Sequence, residues 1–204
     1  MAMAQRNSKK QAIIDHATLI FAGRGFAATL MSDVAAQAEV ASASIFYHFK
    51  TKEDLYIAVL ENAKEGILQA FDHYLTSTSF ASGLDKLLAI VAFHLHLSES
   101  RREWFLLLQR PFTYELAATS AVCRAQLHAI YSCLLNILED ALKQGREDGS
   151  IRVLPVNKIA LLILSAIDGL RQLEHHHLYA ASSLFTELLE LYRYALSPPS
   201  NQKP

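Results

Sequence analysis

Apolar positions recur along most of the chain at spacings of three and four. Ile13, Ile14, Ala17, Ile20 and Phe21 follow i, i+1, i+4, i+7, i+8 and give way to Gly23 and Gly25, the pattern of a short amphipathic helix with a glycine stop. Thr29 precedes MSDVAAQA, where its hydroxyl is placed to cap free amides and Asp33 to complement the positive end of the helix dipole. Val34, Ala35 and Ala38 give that segment a small apolar face. Helical spacing resumes at Ser42 and runs to Phe49, with Ile45 and Phe49 four apart on one side. Two short helices joined by a tight turn make a helix-turn-helix geometry, whose second helix is exposed enough to enter a groove.

Thr51-x-x-Asp54 then reads as a capping box opening a longer helix through Leu55, Val59, Ala63, Ile67, Phe71 and Tyr74. After TSTSFASG, further helices are predicted near 84–98, 101–109, 113–146, 155–175 and 181–196, and SPPSNQKP is expected to be disordered. Prolines fall only at 111, 155, 198, 199 and 204, and no run shows the sustained alternation of a strand, so the predicted fold class is all-α.

Composition changes this picture little, but charge adds to it. The chain is 51% apolar and 19% charged, as a globular protein with a real core would be. MAMAQRNSKKQ lacks the apolar centre of a secretory signal, and the longest apolar run, IALLILSAI from Ile159, is far short of the ~20 residues of a membrane span. A cytoplasmic protein with no membrane partner is expected. Cys123 and Cys133 are expected to be reduced core residues. The net charge of −1 conceals an asymmetry: residues 1–52 hold six basic and three acidic side chains, or +3, which leaves −4 on the remainder. A basic head on an acidic body points to a polyanionic partner.

The residues from Ile13 to Leu60 carry an FAxxGF segment, a threonine at the entry to the second helix, DVAAxA, SIFYHF and KTKEDL. In order and spacing this stretch, about a quarter of the chain, resembles the N-terminal DNA-binding region of the TetR family of bacterial transcriptional regulators. The resemblance implies a three-helix helix-turn-helix domain over 1–52, a larger helical ligand-binding and dimerisation domain over 53–197, and a tail over 198–204. It also implies a homodimer that binds a roughly palindromic double-stranded DNA operator as a repressor and releases it when a small molecule enters the body. By position, Ser42, Ser44, Tyr47 and His48 match family sites that face bases or phosphates, and Thr29 and Lys52 match sites that hold the DNA backbone. Phe46 stands among them where the family usually has tyrosine, without the phenolic hydroxyl. Glu39 occupies a turn position commonly given to glycine, where a positive φ would cost on the order of 1 kcal/mol unless the turn takes another geometry. Ala41 and Ser42 replace the usual hydroxyl cap and basic residue, and Ser42 is either the N-cap or a base-facing group.

The physical logic of this stretch is separable from the resemblance. A helix in the major groove needs an inner face that packs, here Ile45 and Phe49, and an outer face for bases and methyl groups, here Tyr47 and His48. Lys50 and Lys52 stand where cations can neutralise phosphate, and Arg6, Lys9 and Lys10 could serve as a flexible arm.

The body offers weaker signals. Trp104, Phe105 and Leu108, followed by the helix breaker Pro111 and Phe112, form an aromatic segment, and His128 and Tyr131 follow three apart. These six are the candidate lining of a pocket for a largely apolar effector, ordinary core packing being the alternative. Asp168, inside IALLILSAIDGLRQL, is paired in the interior, lines a pocket or sits at an interface rim. Leu162, Ile163, Ala166, Ile167 and Leu170, with Leu184, Leu188, Leu191 and Tyr192, exceed what one core can cover and are the candidate dimer interface. His175-His176-His177, and His94 with His96, point in different directions on a helix, so no metal site is expected. Without a nucleophile–base–acid set or a glycine-rich phosphate loop, neither an enzyme nor a cofactor is expected. The alternative to a ligand sensor is a body that binds a protein partner or organises DNA.

Overall fold

The computed structural model describes residues 2–176 and 178–199, so the side chain of His177 and the tail from Ser200 lie outside the described residues, as does the side chain of Arg6. The fold is all-α, with no strand among the described residues. In order come α1 (Ala2–Arg24), α2 (Met31–Gln37), α3 (Ser42–His48), α4 (Lys52–Ser77), α5 (Gly83–Ser100), α6 (Arg102–Gln109), α7 (Pro111–Thr119), α8 (Ala121–Glu147) and α9 (Val156–His175). A single 3-10 turn, Ala181–Leu184, then leads into α10 (Phe185–Leu196).

Two compact units form, one from residues up to Phe71 with Arg101–Ile130, the other from Asp72–Ser100 with Tyr131 onward. In the first, Ile13, Ala17 and Phe21 of α1, Val34 of α2, Ile45 of α3, Leu55, Tyr56, Val59 and Leu60 of α4, and Phe105 and Leu108 of α6 are buried. Each large apolar side chain so removed from water contributes roughly 1.5–3 kcal/mol. α4 has no side chain at Gly66, and a Cβ there would overlap the Trp104 ring of α6, which fills the space.

Two boundaries differ from the pattern reading. α1 begins at Ala2 rather than near Ile13, so Lys9 and Lys10 are exposed helical residues and not part of an arm. The single helix expected over 113–146 is two, broken at Ser120, whose backbone is extended and whose Oγ accepts the amide of Cys123 at 3.2 Å in the first turn of α8. Serine ends one helix and caps the next without the glycine or proline that marks a break in sequence. Pro111 stops α6 and, as the first residue of α7, loses no helical hydrogen bond.

The second unit is built on a close backbone approach. A Cβ at Gly83, the first residue of α5, would collide with the backbone of Gly145 in α8. The α5 amides are then capped from another segment: Asp148 accepts the Gly83 N–H at 2.6 Å and Ser150 Oγ accepts that of Leu84 at 3.0 Å. Hydrogen bonds from the Ser150 hydroxyl, and then from the Gly83 and Ser150 amides, hold the Asp148 carboxyl below its ordinary range. Inside, Ile163 and Ile167 of α9 are buried, which removes them from the candidate dimer interface; the outward positions of that helix are Leu161 and Leu162. Both faces of α9 are apolar, so its sequence could not say which one is the core.

α8 alone, among the described residues, is long and apolar enough to cross a membrane by length and composition. Its buried residues, Cys123, Leu127, Ile130, Leu134, Leu138 and Ala141, nevertheless form one helical stripe, as in a helix packing against protein.

His94 of α5 is 2% exposed, and burial, with a smaller push from the Arg171 charge, lowers its pKa from 6.5 to about 3. The unfolded chain accepts a proton below pH 6.5 that the folded chain refuses. Stability should therefore fall on acidification from that point towards the depressed value, by up to ~1.4 kcal/mol per pH unit. Denaturant unfolding at several pH values is expected to show this slope in the wild type and to lose it in His94→Gln; an unchanged slope would assign the effect elsewhere.

Candidate nucleic-acid interface

α1 ends at Gly25, whose φ of 79° only glycine adopts without strain. The chain crosses to α2 through Phe26–Leu30, and there Thr29 departs from its expected role. Its hydroxyl donates to the Gly25 carbonyl at 2.7 Å and its side chain is buried, so it neither caps α2, which has Leu30 at its N-cap, nor faces outward. Asp33, in the first turn of α2, pairs with Arg24 at 3.3 Å across an exposed surface, a weak contact.

The turn after α2 closes as a Schellman motif. Val40 donates its amide to Ala35 at 3.0 Å and Glu39 to Ala36 at 3.3 Å, with Glu39 at φ 51° in the place that favours glycine. The departure at Glu39 thus leaves the turn in left-handed geometry, at a cost on the order of 1 kcal/mol. α3 starts with Ala41 as a side-chain-free N-cap, so Ser42 is a first-turn residue and its hydroxyl does no capping.

On α3, Ile45 and Phe49 are buried as expected. Phe46 and Tyr47 are 51% and 60% exposed. With exposed Ala43 they form a 43–46–47 stripe, the spacing of one helix face, and exposed Lys50 follows just past the end of α3. Ser42 is exposed at its edge, and Ser44 and His48 are half-buried at its flanks, the His48 ring lying edge-on to Tyr47 at 5.0 Å. Ala43 was not singled out in the sequence reading, though its place in the stripe follows from Tyr47 by helical spacing. A methyl and two rings in line, with a cation beyond them, suit thymine methyls, base edges and phosphate.

Lys52 behaves differently from Lys50. Its ammonium donates to the Phe26 carbonyl at 2.9 Å and the Thr29 carbonyl at 3.0 Å and lies 4.3 Å from the centre of the Phe26 ring. Two of its three N–H groups are thus engaged by the α1–α2 loop, a supporting role that the sequence did not show. Beside it, Thr51 and Asp54 exchange two 3.0 Å hydrogen bonds, the reciprocal pattern of the expected capping box.

A model of the family described as bacterial regulatory proteins, tetR family, matches residues 13–59. Over those residues the chain carries the DNA-binding region of that family. Across 81% of its length it is 27% identical to the fatty acid metabolism regulator protein of Bacillus subtilis (strain 168), covering 83% of that protein. It is 24% identical to the transcriptional repressor DhaR of Mycobacterium sp. (strain GP1) over 72% of each chain. The FadR structure from Bacillus subtilis in complex with stearoyl-CoA superposes with a TM-score of 0.72 at 24% identity, covering 91% of this chain and 98% of that one. A regulator from Saccharomonospora viridis in complex with choline gives 0.83 at 16% identity, over 93% and 97%.

The candidate pocket residues have differing surroundings. Phe105 and Leu108 are core residues of the first unit, and Trp104 packs over Gly66. Phe112 stacks on Phe26 at 3.6 Å and meets Tyr56 edge-on at 5.1 Å, so its ring packs against the α1–α2 loop and α4. His128 is exposed in an open groove of about 390 Å³ lined also by Ala121, Arg124, Ala125 and Ala129, and Tyr131, three residues on in α8, is half-buried.

Two substitutions separate contact from support. Tyr47→Ala should weaken operator binding at least about tenfold, the loss of one good base contact, with unfolding unchanged. Lys52→Met should lower unfolding free energy by about 1.5–3 kcal/mol, the worth of hydrogen bonds to a charged group. Denaturant titration and fluorescence anisotropy on operator DNA read the two effects; a Lys52→Met protein of full stability would place that ammonium on the DNA.

Proposed function

We propose that the chain represses transcription as a homodimer on a roughly palindromic operator and lets go when a small, largely apolar effector enters its helical body. The observation that carries this reading is the outward stripe Ala43, Phe46 and Tyr47 on a short helix that follows the Glu39 turn, with exposed Lys50 just past its end. Residues 1–52 act as the reader and 53–197 as sensor and dimerisation region. Support for the repressor role comes from the similarity to the transcriptional repressor DhaR, and for an apolar effector from the stearoyl-CoA bound to the similar FadR and from the likeness to the ketosteroid transcriptional regulator KstR2 of Mycobacterium tuberculosis.

Pairing through α9 and α10 would cover Leu162, Leu184 and Leu191, which are exposed in the single chain along with Leu161 and Tyr194. With Ala166, Leu170, Leu188 and Tyr192, half-buried beside them, they make up the proposed interface. A two-fold dimer presents two copies of α3 to successive major grooves about 34–36 Å apart, and an effector acts by binding more tightly to a form with another spacing.

Anisotropy titration of the protein onto duplex from the region upstream of its own gene, over a range of salt, should give saturable binding whose logarithm falls linearly with the logarithm of salt concentration. Sedimentation should give a dimer. Equal affinity for a scrambled duplex would overturn the regulator reading.

A further inference from the structure

The side chains of α3 restrict the kind of base pair that this helix can single out. From its N-cap Ala41 to its C-cap Phe49 the sequence is ASASIFYHF, without arginine, lysine, asparagine, glutamine, aspartate or glutamate. Those are the types whose hydrogen bonds distinguish guanine, adenine and cytosine in the major groove. The hydroxyls of Ser42, Ser44 and Tyr47 both donate and accept, so each fits several base edges. His48 is half-buried at the flank of the exposed face, with its ring edge-on to Tyr47.

Apolar surface is what the helix offers instead. Ala43 and Phe46, three apart on one face, are exposed, and half of the Phe46 ring stands in water at 51%. The packing face is supplied by buried Ile45 and Phe49, so the core does not account for Phe46. The surrounding stretch is basic, residues 1–52 carrying +3, and Lys50 is exposed just past the end of the helix. An exposed ring on a basic surface calls for a partner that is anionic overall and apolar at the point of contact. Double-stranded DNA offers that combination at the thymine C5 methyl, which stands in the major groove between two rows of phosphates.

We infer that Phe46 and Ala43 are the specificity-determining residues of α3, and that they select thymine through its C5 methyl, so that the operator half-sites carry T·A pairs beneath these two side chains. This deepens the operator reading above and rests on it. Contact of this kind discriminates modestly at each base pair, one methyl removed from water being worth about fourfold in affinity. A good bidentate hydrogen-bond pair gives about tenfold or more. Selectivity therefore accumulates over several thymines and both half-sites, roughly additively.

The test starts from duplexes that the full-length protein enriches from a random library. Each thymine is replaced singly by uracil, which lacks only the C5 methyl, and each guanine by 7-deazaguanine, which lacks only the N7 acceptor. Anisotropy should find at least one thymine per half-site whose replacement weakens binding about fourfold, and about tenfold when it is changed in both half-sites, with no 7-deazaguanine position costing more. Where a C·G pair takes the place of a sensitive T·A pair, 5-methylcytosine should recover part of the loss. In Phe46→Ala or Ala43→Gly the ratio of thymine to uracil affinity should fall towards one at a sensitive position. Phe46→Leu, which keeps an apolar contact, should retain part of that ratio, and Lys50→Ala should weaken both duplexes alike. Because the ratio compares two duplexes on one protein, a variant that only loosened the helix would lower both affinities and leave the ratio standing. No sensitive thymine, a ratio that survives both Phe46→Ala and Ala43→Gly, or a larger loss from 7-deazaguanine would overturn the inference and leave the regulator reading in place. A library that yields no enriched sequence would remove the regulator reading, and this inference with it.

Discussion

The placement of the recognition helix depends on the ammonium of Lys52. From the first turn of α4 it donates to the carbonyls of Phe26 and Thr29 and sits over the Phe26 ring, so one charge closes the loop between α1 and α2. The same loop is held from its other side by α6 and α7. Arg110 donates to the Ala22 and Gly23 carbonyls at the end of α1, Phe112 stacks on Phe26, and Tyr56 and Thr113 share a 2.6 Å hydrogen bond. Cations at a helix C-terminus meet carbonyls left without helical partners, and such charge-assisted bonds are stronger than neutral ones. α2 and α3 follow from this loop, because α3 packs on α2 and α1, with Ile45 buried.

That arrangement decides which cations remain for a polyanion. Lys52 and Arg110, both basic and both near the reading helix in sequence or space, have their donors directed at main-chain carbonyls. Lys9, Lys10 and Lys50 are exposed in the same unit, and Lys10 lies 5.9 Å from the Phe49 ring beneath α3. Long-range attraction to DNA draws on the whole +3 of residues 1–52, whereas close phosphate contact falls to the exposed lysines. Base discrimination falls to the stripe through Phe46 and Tyr47.

Much of this was legible in the sequence, for reasons that also mark the limits. The helices, the Thr51–Asp54 box and the burial of Ile45 and Phe49 come from spacing and local hydrogen bonding within four residues, which sequence records directly. Lys52 could not be read because its partners are carbonyls 23 and 26 residues away, and any residue type supplies a carbonyl. Thr29 was misread for a related reason: its hydroxyl turns back to Gly25 instead of forward to α2. The break at Ser120 carries no glycine or proline. Phe112 and Ile167 are apolar wherever they face, so pattern alone could not separate core from pocket or interface. Asp168, left open between three environments, proves to be paired with Arg171 inside its unit.

Amide hydrogen exchange in Lys52→Met against the wild type tests the clamp most directly. If the ammonium holds the loop, exchange should quicken at Gly25–Thr29 and through α3, with α5 and α9 unchanged. Unaltered protection across residues 25–49, together with lost operator binding, would mean that Lys52 belongs to the DNA surface and that the recognition helix is held by something else.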